Sequence, residues 1–203
     1  MWSATPNSFA IVVRKNEERF TDFPPLVSYA KENPGELRYS PGSTDTLPHM
    51  VVARVMQMSD VIAQVAPYPE IDNAVKGLRG GVLDFMVINP GVYTTNKEDL
   101  KVLAVLSDLE RSSETYDGAP RVQNFGIELG MKGLAPMGWN WWLVRKETPE
   151  DVVAKLREAM GNALARKDVQ QRLLDMGERH YMRGPGPATK RQASKLSSDS
   201  PKT

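Results

Sequence analysis

Leu37-Arg-Tyr-Ser40, the loop Pro41-Gly-Ser-Thr-Asp-Thr46 and the run from Leu47 to Met58 read in turn as strand, turn and helix. Pro41-Gly42 breaks the strand, because Pro lacks an N–H donor and Gly accepts left-handed backbone. In the third piece Met50, Val51, Val55 and Met58 fall at spacings near i, i+4 and i+7–8, which predicts an amphipathic helix with those residues on its buried face. A hydroxyl-rich loop between a strand and a helix marks an α/β unit.

The same alternation extends in both directions. Upstream, Phe9-Ala-Ile-Val-Val13 is a short apolar, β-branched run and predicts a buried strand. Phe23 to Asn33 predicts a helix with Leu26, Val27, Tyr29 and Ala30 on one face, stopped by Asn33-Pro-Gly35. Downstream, Val61–Tyr68 is expected as a strand and Ile71–Leu78 as a helix, with Glu70 and Asp72 placed to cap it. Gly80-Gly81 turns the chain into a strand at Leu83–Asn89, and Val102–Leu106 gives another. Residues 108–138 read as loop, with Asp117-Gly118, Pro120 and Gly133 as turn signals. Trp141–Val144 is a further strand. Thr148-Pro149-Glu150-Asp151 then opens a helix carrying Val152, Val153, Leu156, Ala159, Met160 and Leu164, with Thr148 as its expected cap. A last helix runs from Asp168 to Met176. Strand–helix repetition of this kind predicts an α/β fold with a largely parallel sheet.

Composition narrows the function classes. Among 203 residues, 26 Lys and Arg face 25 Asp and Glu, so the concentrated positive field that nucleic-acid binding needs is absent. There is no cysteine, which excludes disulfides, thiolate metal sites and Cys nucleophiles. No window holds 18 consecutive apolar residues. Met1 to Asn7 lacks a basic segment followed by an apolar one, so no export signal is expected in this stretch. The basic, Gly/Pro/Ser-rich residues 182–203 are expected to be a disordered tail.

Catalytic templates fail one by one. Only His49 and His180 are present, with no HExxH, and neither GxxxxGK[ST] nor GxGxxG occurs. Ser43, Asp45 and His49 lie close in sequence, but no GxSxG elbow exposes a nucleophile, and triad members ordinarily come from separate parts of a fold. No catalytic residue, metal or cofactor is therefore assigned. Trp139, Trp141 and Trp142 cluster; for any one of them, packing is the commoner role and ligand contact the rarer. Binding is the positive case. Ligands of α/β sheets sit beyond the carboxyl ends of strands, where helix N-termini favour anions. Ser40, Ser43, Thr44, Asp45, Thr46 and His49 occupy such a place, and Pro67-Tyr68 is a second wall.

The order Asn33-Pro-Gly-Glu-Leu-Arg-Tyr39, His49, Pro67-Tyr68 and Gly80-Gly-Val-Leu-Asp84 resembles the Bug family of tripartite tricarboxylate transporter receptors. Lys101–Ser107, Thr148–Leu156 and Val169–Gly177 continue the resemblance, which covers Ser8 to Gly177. It implies a two-lobed periplasmic binding protein-like fold of type II, closing on a small carboxylate. The implied partners are a small-molecule ligand and membrane transport subunits or a sensor protein, and the implied compartment is the periplasm. A chain naturally starting at Met1 would instead stay in the cytoplasm. Asn89 and Trp139 join the ligand-binding set named above.

The resemblance also predicts divisions: 1–40 as the remainder of an incomplete first lobe, 41–140 as the second lobe with the ligand-facing loops, and 141–181 as helices returning to the first. The family's opening Gly-rich loop has no counterpart here, so the chain reads as truncated at its N-terminus. The family's closing helix and strand are not expected after Gly177. Two positions depart from the pattern by gaining acid: Asp45 stands near a family glycine, and Glu70 falls in a segment that is usually glycine-rich. A degenerate sensing or interaction protein on the same scaffold is the alternative reading.

Overall fold

The computed structural model describes residues 2–6, 8–107, 110–129 and 139–175. In chain order its strands are β1 (Trp2–Pro6), β2 (Phe9–Arg14), β3 (Arg38–Ser40), β4 (Gln64–Val65), β5 (Phe85–Ile88), β6 (Leu100–Leu106) and β7 (Trp139–Trp142). The helices are α1 (Phe23–Glu32), α2 (Leu47–Met58), α3 (Ile71–Arg79), α4 (Pro90–Asn96), α5 (Glu150–Ala165) and α6 (Lys167–Asp175), with 3-10 turns at Glu110–Tyr116 and Val122–Phe125.

Five strands form one open sheet in the order β4-β3-β5-β2-β6, and β1 pairs with β7 in a separate two-stranded ribbon. β3 lies parallel to β4 and β5, whereas β2 is antiparallel to both β5 and β6. The sheet is thus mixed rather than largely parallel, with β2 running against the other four. Strand direction cannot be read from a fully apolar run, which has the same pattern either way.

β2 is the centre of the core. Phe9 to Val13 are all buried, since both faces of this strand are covered. Ile11 and Val13 enter one cluster with α1 and α2, built on Phe23, Leu26, Leu37, Val52 and Val55. Ala10 and Val12 enter the other, with Val75, Leu78, Leu83, Met86 and Tyr93. Each large aliphatic side chain so placed contributes about 1.5–3 kcal/mol of burial.

Several expected elements shift. Of Val61–Tyr68 only Gln64–Val65 pairs, because this stretch forms the sheet edge and Pro67 and Pro69 cannot donate to a ladder. The strand expected at Leu83–Asn89 is confined to Phe85–Ile88. On α2 the buried residues are Val51, Val52 and Val55, while Met50 and Met58 face outward. α5 begins one residue late, with Pro149 rather than Thr148 at the cap. Helix α4 and strand β1 were not signalled by periodicity, being too short to show one. The division expected between residues 40 and 41 falls inside the five-stranded sheet, since β3 pairs on both sides with strands beyond it. Residues 8–129 share that sheet and both core clusters. The expected tail at 182–203 lies outside the described residues.

At the edge where β2 ends and β6 begins, a buried carboxylate fixes the corner. Glu17 is 4% exposed and meets Arg14 at 2.8 Å and Arg19 at 2.9 Å. Lys101 Nζ donates to the Glu17 carbonyl at 2.6 Å. Arg19 continues to Asp84 at 2.8 Å, and Asp84 accepts the Arg38 amide at 2.8 Å. The side-chain hydrogen bond from Arg19 holds the Glu17 carboxyl down at about 2, against the burial that would raise it.

Candidate functional site

β4, β3 and β5 end on the opposite edge of the sheet, and each leads through a loop into a helix N-terminus. β3 enters residues 41–46 and then α2; β4 enters 66–70 and then α3; β5 passes through Asn89 into α4. β6 ends at this edge too, at Ser107, and β2 begins here after Ser8.

The sequence-predicted residues divide into those that shape the loops and those that face solvent. Ser40 is fully buried, and its hydroxyl accepts the Gly42 amide at 3.2 Å, closing the turn after β3. Gly42 lies at φ 84° and Asp45 at φ 59°, both in the left-handed region. Glycine enters that region without strain, whereas an L side chain crowds its own backbone. The glycine expected near position 45 therefore has a conformational reason, and Asp45 keeps the same backbone at a cost. The Asp45 amide donates to His49 Nδ1 at 3.1 Å, and Thr46 Oγ1 donates to the Ser43 carbonyl at 2.8 Å. Ser43, Thr44 and Asp45 are exposed, and Thr46 and His49 are half-buried.

The second wall is tied to the first through the backbone: the Tyr68 amide donates to the Gly42 carbonyl at 2.9 Å. Pro67 is exposed beside the half-buried Tyr68. Glu70 is exposed and occupies the N-cap of α3, yet its side chain makes no capping bond, contrary to the expectation. Thr46 at the N-cap of α2 makes none either. Asn89 behaves differently. Its Oδ1 accepts the Val92 amide at 2.9 Å, so this side chain caps α4. Trp139 pairs with Pro6 across the ribbon and stands apart from the five-stranded sheet.

Residues missed from the sequence complete this edge. Ser107 and Ser112 are buried, with hydroxyls 2.7 Å apart. The Tyr116 hydroxyl donates to the Ser8 carbonyl at 2.8 Å and lies 3.3 Å from the Ile88 carbonyl. Ser107 carried a signal, a hydroxyl directly after an apolar strand; Tyr116, held within a 3-10 turn, carried none. Behind them the Tyr93 hydroxyl donates to Asp117 at 2.6 Å, and Lys97 pairs with the same carboxylate at 2.7 Å. Lys97 and Tyr93 hold the Asp117 carboxyl below its usual range, and burial, with the Asp117 charge added, pushes the Tyr93 phenol up. Among the described residues, no group of three or more His, Cys, Asp or Glu is placed to hold a metal ion.

Comparison with known proteins gives a consistent result. The model of the tripartite tricarboxylate transporter family receptor matches residues 4–197, well past Gly177, where the sequence motifs ended the resemblance. A "UPF0065 protein in tcbD-tcbE intergenic region" from Pseudomonas sp. (strain P51) is 26% identical over 168 residues, which is 83% of this chain and 49% of that protein. Among solved structures, MatC from Rhodopseudomonas palustris with bound malate is similar at TM-score 0.73 and 18% identity, over 96% of this chain and 65% of that one. A second Rhodopseudomonas palustris protein, solved with adipate, matches at TM-score 0.73 and 18% identity, over 96% and 63%. The chain thus spans about half the length of that curated relative and under two thirds of these solved ones. The shared fold is the α/β architecture of periplasmic binding proteins; the strand–helix order predicted the α/β class, and the family resemblance implied the binding-protein form. With a family match across nearly its whole length, the chain belongs to the tripartite tricarboxylate transporter receptor family.

Proposed function

We propose that residues 8–129 form the ligand-capturing body of a solute-binding receptor, taking a small organic acid against the loops 41–46 and 66–70. One observation carries the reading: α2 and α3 both begin at this edge, after the paired strands β3 and β4, and neither N-cap side chain accepts a hydrogen bond from its own helix. Helix N-termini not capped by a side chain favour carboxylate oxygens. Ser43, Thr44 and Thr46 add hydroxyls, and Tyr68 supplies an aromatic wall. The solved relatives with malate and adipate support a ligand of this class. Membrane transport subunits are the proposed partners, and the periplasm is the proposed compartment.

Thermal-shift and calorimetric titration with malate, adipate and citrate test the proposal. Saturation to a hundredfold over Kd adds about 2.7 kcal/mol to a folded receptor, an increase of several degrees in Tm. A folded chain that none of these stabilises overturns the receptor reading. The second reading, a sensing or interaction protein on the same scaffold, draws on Asp45 and Glu70, which set negative charge on both walls. It gains if neutral or amine-bearing solutes bind where dicarboxylates do not.

A further inference from the structure

We propose that His49 is the positioning residue of the strand-end loop: its unprotonated Nδ1 holds Asp45 in the left-handed conformation and so sets the loop's shape. The loop half of this inference stands on geometry alone; its effect on ligand affinity rests on the receptor reading above.

Three observations support it. Asp45 adopts φ 59°, a left-handed conformation that Asp enters at a cost glycine does not bear, and a hydrogen bond to its amide helps to hold it there. The holding group is the His49 ring, whose Nδ1 accepts the Asp45 amide at 3.1 Å across one helical turn. Acceptance at Nδ1 requires that the neutral ring carry its proton on Nε2. The restraint is local and sits at the hinge of the loop. Upstream of it, the loop is tied by Ser40 to Gly42 and by Gly42 to Tyr68; downstream, α2 begins. Asp45 lies between these fixed points, so its conformation decides how the exposed hydroxyls of Ser43 and Thr44 are presented.

The arrangement is sensitive to protonation. A second proton on the ring turns Nδ1 from acceptor to donor, and the Asp45 amide then faces another donor. The charged groups on the elements meeting here are Asp45 on the loop, Arg54 further along α2 and Glu70 on the opposing loop. Acidification is therefore expected to loosen the loop.

The chain has only two histidines, so ring nitrogen resonances are readily assigned by NMR. In the unaltered protein at alkaline pH, the His49 ring is expected to be protonated at Nε2 and bare at Nδ1. The Asp45 amide resonance should move with the His49 titration. His49→Asn keeps an acceptor, because Asn Oδ1 stands two bonds from Cβ as Nδ1 does; Asp45 should stay protected and become insensitive to pH. His49→Leu removes the acceptor, and Asp45 amide exchange should quicken about fivefold, the value of one ordinary hydrogen bond. A ring protonated at Nδ1, or an Asp45 amide unchanged in His49→Leu, overturns the assignment. Malate serves as the probe for affinity. If it binds the unaltered protein, His49→Leu should weaken it several-fold and His49→Asn should restore it; equal affinity in all three overturns the positioning role. If malate, adipate and citrate all fail to bind, the receptor reading is what fails, and the Asp45 amide still decides the loop assignment.

Discussion

Asp45 and Ser59 show how a single residue can sit against the chemistry of its surroundings. Asp45 keeps a backbone suited to glycine. Asp45→Gly relieves crowding that costs about 1 kcal/mol and adds a similar entropic cost in the unfolded chain, so stability should change by less than about 0.5 kcal/mol. Dicarboxylate affinity should rise nonetheless, because a negative charge leaves the wall; calorimetry with malate reads this directly. Ser59 ends α2 with its hydroxyl buried and, among the described residues, unpartnered, beside a small apolar void among Ile11, Phe23, Leu26, Val55 and Phe85. A buried hydroxyl without a partner is destabilising by about 1–3 kcal/mol relative to a satisfied one. Ser59→Ala is expected to raise the urea midpoint by the equivalent of about 1 kcal/mol with an unchanged slope.

At the scale of elements, the Glu17 corner makes stability depend on pH. The Glu17 carboxyl is held at about 2, below its unfolded value of 4.5, so its contribution is complete above 4.5 and lost as pH falls toward 2. The full loss is on the order of 3 kcal/mol. Glu17→Gln should lower stability at neutral pH by roughly 2 kcal/mol and flatten this acid limb, as denaturant titrations at pH 7 and pH 3 would show. None of this was legible in the sequence, where Arg14, Glu17, Arg19 and Asp84 are ordinary surface types; only the folded sheet brings residue 84 to residue 19. The helices were legible wherever an apolar face repeats, as in α1 and α3. The hydroxyl loop after β3 was legible too, because a Pro-Gly break between strand and helix has few alternatives. Strand direction, the short elements β1 and α4, and Asn89's use as a cap were not, since each depends on partners remote in sequence or on a single side-chain bond.

For the whole molecule, the two core clusters lie entirely within residues 9–129, apart from α5 and α6. α5 buries only Leu164 and α6 buries nothing, while Leu143, Val152, Leu156 and Leu174 are exposed. A chain ending at residue 129 should therefore unfold in one cooperative step, with a midpoint close to that of the full chain. Loss of that transition on truncation would show that the helical segment supports the sheet. The position of β2 bears on biosynthesis as well. This strand leaves the ribosome before its neighbours, yet it pairs only with β5 and β6, which end at Ile88 and Leu106. At translation rates of about 5–20 residues per second, its apolar run stays unpaired for roughly 5–20 s. Through that interval the nascent chain remains threadable and exposes a segment that general chaperones recognise. An inner strand that precedes both of its partners in the chain thus delays folding until they have been made.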